Sequence, residues 1–139
     1  MKFTTTTDAE MEIFLSVVGK HLGQIGADAA IDLHSDEPIE EAEPRMVFEE
    51  MSGEVQASPK RSKDPLMGVS VDLRSATGLR RFSLLGHRTM GCEAFVGNKL
   101  VFTSIENERI VWLDLPPADV SALEDEARAA GAQGLTRLA

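Results

Sequence analysis

The run Glu93-Ala-Phe-Val-Gly-Asn-Lys-Leu-Val-Phe-Thr-Ser-Ile-Glu-Asn-Glu-Arg-Ile-Val-Trp-Leu-Asp-Leu115 decides the fold. Glu93 to Val96, Lys99 to Ile105 and Arg109 to Leu115 read as three strands, apolar and β-branched segments bounded by turn signals. Gly97-Asn98 joins the first two, because both residues tolerate the positive φ of a tight hairpin turn. Glu106-Asn107-Glu108 joins the next two, which makes an antiparallel meander. In the last strand Ile110, Trp112 and Asp114 share one face, and Val111, Leu113 and Leu115 share the other. Both faces carry large apolar residues, so the strand is either buried on both sides or leaves one apolar face partly exposed.

Downstream, Pro116-Pro117 stops the last strand, and Pro117 suits the first turn of a helix, where a missing N–H costs nothing. Val120, Leu123, Ala127 and Ala130 then recur at helical spacing, with Gly131 as the stop. Upstream, Val69, Val71 and Leu73 alternate with polar residues as a half-buried strand does, and the Gly78 region turns the chain into a further strand over Arg81 to Leu85. Near the start, Thr7 and Glu10 have the spacing of a capping box. Met11, Phe14, Leu15, Val18, Leu22 and Ile25 follow as one apolar stripe, ended by Gly23 or Gly26. Between these parts lie two weaker strand candidates, Ala29 to Leu33 and Arg45 to Phe48. The proline-bounded polar segment Pro59 to Pro65 reads as a loop. The expected fold is α+β: one domain over residues 1–139, with a single antiparallel sheet of about five strands flanked by an N-terminal and a C-terminal helix. Mobile charged loops are expected at about 35–45 and 57–67.

A chain of 139 residues suits one core rather than two. No apolar run is long enough to span a bilayer, and the N-terminus lacks the apolar core of a signal peptide, so the expected location is the cytoplasm. A lone Cys92 cannot form an internal disulfide or hold a zinc ion by itself. The net charge of −9 opposes non-specific association with nucleic acid or anionic lipid. That charge is blocked. Residues 28–54 carry ten acidic side chains, Glu40, Glu41 and Glu43 among them, against Arg45 alone, whereas residues 55–91 are basic through Lys60, Arg61, Lys63, Arg74, Arg80, Arg81 and Arg88. The two blocks are expected to pair within the chain or across a dimer.

Asp32, His34 and Asp36 alternate, a spacing that could hold a divalent metal on an extended segment. The plainer reading is a solvated acidic strand end, and no metal or other cofactor is assigned. His87 and Cys92 could be imagined as base and nucleophile, but nothing in the sequence orients them, and Cys92 reads as a small buried hydrophobe. Ser75-Ala76-Thr77-Gly78 lacks a phosphate-binding framework and reads as a turn between strands. The basic residues between 60 and 88 could contact phosphate, although the net charge and the absence of tyrosine argue against base stacking. If helices cover only one face of the sheet, Trp112 lies on a partly exposed apolar surface of the kind that anchors a partner.

Residues 87–115 also resemble the hairpin of the TfoX N-terminal domain family. Arg88, Met90, Gly91, Phe95, Gly97, Phe102, Leu113, Leu115 and Pro116 occupy matching positions, and the acidic helix from Asp119 to Gly131 follows as it does there. The family's phenylalanine between methionine and glycine has no counterpart, since Gly91 follows Met90 directly. The resemblance implies a secretion-chaperone-like fold shared with YjbR-like proteins, a link to regulation of DNA-uptake competence, and no enzymatic activity. The resulting expectation is a non-enzymatic interaction or regulatory module with a protein partner, in which Trp112 and Phe95 supply apolar contact and Glu40, Glu41, Glu43, Arg80, Arg81 and Arg88 supply charge. The alternatives are a small metal- or ligand-dependent enzyme using His34, Asp36 or His87, and a regulator contacting nucleic acid through the basic patch.

Overall fold

The computed structural model describes residues 1–34, 37–57, 64–105 and 108–139. Eleven elements follow one another: β1 (Lys2–Thr4), α1 (Asp8–Gln24), β2 (Asp28–Asp32), α2 (Ala42–Ala57), β3 (Val69–Val71), α3 (Ala76–Leu85), β4 (Gly91–Val96), β5 (Lys99–Ser104), β6 (Ile110–Leu113), α4 (Pro117–Ala129) and β7 (Thr136–Leu138). The fold is α+β, with one antiparallel sheet in the order β3-β2-β4-β5-β6-β1-β7.

Helix α1 begins where the capping box requires. The Thr7 hydroxyl accepts from the Glu10 amide, the Glu10 carboxylate accepts from the Thr7 amide, and Gly26 takes the left-handed conformation after the helix with φ 77°. The meander of β4, β5 and β6 forms in the expected order, with Gly97 at φ 60° in the first turn. Of the second turn, Glu106 and Asn107 lie outside the described residues, as do residues 58–63 of the proline-bounded loop.

Two segments expected as strands are helices. Arg45 to Phe48 belongs to α2, where Pro44, Val47 and Met51 form one buried stripe; the β-branched and aromatic character of Val47-Phe48 gave way to 3.6-residue spacing. Residues 42–45, expected within a charged loop, are therefore helical. Arg81 to Leu85 belongs to α3, and Ser75 is its N-cap: the Ser75 hydroxyl accepts from the Gly78 amide, so Ser75 to Gly78 opens a helix rather than joining two strands. The sheet has seven strands instead of about five. The unforeseen β1 and β7 are three residues each, too short to show alternation; β1 pairs with β6, and β7 with β1.

One face of the sheet meets the helices. Phe3, Ile31, Ala94, Phe102, Val111 and Leu113 are fully buried there. The Phe3 ring packs on Phe14 of α1 with ring centroids 5.3 Å apart, and Phe102 packs on Phe82 of α3 at 5.0 Å. Helix α4 covers the β7 end of the same face: Glu124 pairs with Arg137 of β7, whose guanidinium lies over the Phe3 ring. Helix α2 packs on α3. Among the described residues no helix is long and apolar enough to cross a membrane.

Candidate functional site

Strand register defines the opposite face. Ser70, Ala30, Glu93, Thr103, Trp112, Lys2 and Leu138 are successive cross-strand partners from β3 to β7, so their side chains form one row on the side away from the buried residues. Every member of this row is half-buried or exposed, whereas Phe3, Ile31, Ala94, Phe102 and Val111, neighbours on the inner face, are buried. Ile105 and Ile110 pair one step along β5 and β6, Ile105 donating its amide to the Ile110 carbonyl at 3.0 Å, and both side chains are half-buried on the same side. Phe95, paired with Asp28 at the β4 end of this face, is 36% exposed, and Val96 beside it is 37% exposed. In β6, Val111 and Leu113 therefore face the core, and Trp112 looks outward. Trp112 is the chain's single tryptophan.

The charged residues sit elsewhere. Arg80 pairs with Glu43 at 3.0 Å, Arg81 with Glu50 and Glu54 at 3.1 and 2.9 Å, and Arg88 with Glu12 at 2.6 Å and Glu41 at 3.7 Å. These bonds clip α2 and the segment before it to α3 and α1. The acidic and basic blocks therefore meet within the chain through their glutamates and arginines; Lys60, Arg61 and Lys63 lie outside the described residues. Glu40 is exposed beside Pro38 and Glu41.

The metal-like trio does not assemble. The Asp32 carboxylate accepts from the Gly68 amide at 2.7 Å, the His34 imidazole is 2.9 Å from Asp64, and Asp36 is outside the described residues. Among the described residues no three His, Cys, Asp or Glu side chains come together as a metal site. Cys92 is 1% exposed on the inner face of β4, where burial pushes its thiol far up and leaves little thiolate.

His87 belongs to a different cluster that sequence reading did not assemble. A cleft of about 520 Å³ opens between the start of α1, the segment before α2, the residues after α3 and the start of β6. On its wall the Asp8 carboxylate receives the Arg109 Nε at 2.7 Å and lies 3.6 Å from His87 Nε2. The His87 imidazole, followed by Arg109, holds Asp8 well below the usual carboxylate range. His87 itself is only 2% exposed in its side chain, neither ring nitrogen has a hydrogen-bond partner, and burial pushes its pKa down. A neutral imidazole with both nitrogens enclosed cannot reach a substrate in this arrangement. Asp8 and Arg109 are 101 positions apart, so no local spacing announces the cluster.

No family model matches this chain, and no curated protein or solved structure shows significant similarity to it.

Proposed function

We propose that this chain is a non-enzymatic interaction module that docks a protein on the uncovered face of its sheet. The observation that carries the reading is the place of Trp112, inside a seven-residue cross-strand row on the face turned away from the helices. A half-buried tryptophan beside Ile105 and Ile110, with Leu138 two strands further on, is a large, stiff apolar contact that gains most when a partner removes it from water. The resemblance of residues 87–131 to the TfoX N-terminal family points the same way, towards a regulator that binds rather than reacts. The arginine pairing also favours protein over nucleic acid: Arg80, Arg81 and Arg88 are each held by glutamates, and phosphate would have to displace those carboxylates.

A photoreactive residue in place of Thr103, beside Trp112, tests this in the source cell. A discrete covalent adduct from position 103, absent when the same group replaces exposed Glu49 of α2, is the expected result. No adduct from position 103, or equal adducts from both positions, would overturn it.

A further inference from the structure

We infer that the occupant of the uncovered sheet face is a second copy of this chain, packed face to face about a two-fold axis that runs along the strands between β5 and β6. This rests on the reading of that face as a protein-docking surface and specifies its partner.

The inference comes from the symmetry of the charges in the row. Counting across the sheet, Glu93 on β4 stands one strand beyond β5, and Lys2 on β1 stands one strand beyond β6. A two-fold axis between β5 and β6 reverses the row. Glu93 of one copy then faces Lys2 of the other, and the reciprocal pair forms at the same time, as an isologous interface requires. Thr103 faces Trp112, and Ala30 faces Leu138, so each large side chain meets a small one. In the adjacent row Ile105 faces Ile110, which places aliphatic contact beside the tryptophan. The opposite charges lie on either side of the axis, not on one side, and that arrangement favours self-pairing.

Two sheets stacked in this way sit about 10 Å apart with strands nearly aligned, and the apolar side chains of both faces fill the gap. Seven strands at about 4.8 Å spacing make a face roughly 30 Å wide. Because the strands are short, the contact falls at the low end of specific interface sizes, which implies a weak dimer that forms at tens of micromolar or above. The net charge of −9 opposes association at long range. Physiological salt screens that repulsion beyond about 8 Å, whereas the paired charges in the row act at contact. β7, at the sheet edge, contributes Leu138 to the face, which keeps this short edge strand within the proposed interface.

Charge reversal tests the geometry. Sedimentation equilibrium of the full chain, from about 5 to 500 µM, should show a reversible monomer–dimer equilibrium. Lys2→Glu and Glu93→Lys should each weaken it tenfold or more, since each variant makes two like-charge contacts in its own dimer. An equimolar mixture of the two variants should dimerise close to the wild-type level, because every contact in the mixed dimer again joins opposite signs. A circular dichroism spectrum of each variant checks that it folds. A wild-type chain that stays monomeric at 500 µM overturns the second copy, as does a mixture no better than its components. The photoreactive Thr103 position separates the two readings: an adduct of twice the chain mass supports both, one of any other mass keeps the docking surface and removes the second copy, and none removes both.

Discussion

Replacing His87 with glutamine should remove an acid-sensitive step from the unfolding equilibrium. The imidazole is 2% exposed, neither nitrogen is hydrogen-bonded, and burial lowers its pKa against the pull of Asp8, with Arg88 lowering it further and Glu12 opposing. Its folded pKa therefore lies below the ordinary value of 6.5, and the unfolded chain binds more protons than the folded one as pH falls through that value. Stability from the neutral imidazole is complete above pH 6.5. It declines as pH drops below 6.5, until the folded pKa is reached. One proton limits the slope to about 1.4 kcal/mol per pH unit, so between pH 8 and pH 5.5 the loss is at most about 1.4 kcal/mol. For a chain of this size that upper limit corresponds to a fall of about 3 to 6 °C in Tm.

The measurement is urea unfolding of the wild type and H87Q at pH 8, 6.5 and 5.5. Glutamine will cost some stability at every pH through altered packing, so the diagnostic quantity is the difference between the two pH profiles. His21 and His34 are present in both proteins and cancel. Asp8, whose folded pKa is also lowered, contributes stability that is lost only below its ordinary pKa of 3.8, outside this window. Parallel profiles from pH 8 to 5.5 would refute the account, since they would mean that His87 titrates alike in the folded and unfolded chains.

Two further outcomes test the core around the sheet. Gly78→Ala should destabilise strongly, by about 3 kcal/mol or more, because an added Cβ would stand 1.9 Å from the Asp72 carbonyl oxygen in backbone that cannot retreat; a denaturation midpoint within error of wild type would contradict the tight β3–α3 connection. Cys92 should resist a thiol reagent at pH 8 in the folded chain and react fully in denaturant, since the thiol is buried and its ionisation suppressed; rapid labelling of the native protein would show that β4 opens readily.

What could be read in advance was whatever local chemistry determines. The Thr7–Glu10 capping box, the Gly97-Asn98 turn and the Pro117 start of α4 each rest on residues within a few positions of one another, and all three stand as expected. The helical identity of α2 and α3 is also written locally. Pro44, Val47 and Met51 are spaced at 0, 3 and 7, and Gly78, Phe82 and Leu85 at 0, 4 and 7, both helical stripes behind a residue suited to the first turn. Short β-branched and aromatic runs outweighed those stripes. The edge strands are a different case: three residues hold no usable period, and β1 and β7 exist because β6 and then β1 offer them a free edge. Likewise Asp8, His87 and Arg109 converge only through tertiary packing.

The face of β6 shows where local reading stops and what the remainder means. Ile110 and Trp112 on one side are as apolar as Val111 and Leu113 on the other, so alternation alone could not rank them. Helices α1, α3 and α4 supply cover for one side, through Phe14, Phe82 and Glu124, and leave the other in water. A strand that met solvent on its outer side without a partner would be expected to alternate apolar with polar there. This one places Ile110 and Trp112 in that position, next to Ile105 just after β5, with Leu138 of β7 two strands away beyond Lys2. Four large apolar side chains, Ile105 just after β5, Ile110 and Trp112 of β6 and, beyond Lys2 of β1, Leu138 of β7, lie on one face, and apolar side chains grouped on an uncovered sheet face are the feature that partners cover. The apolar character on both sides of β6, which made the strand ambiguous as sequence, is thus the same property that makes the uncovered face a docking surface.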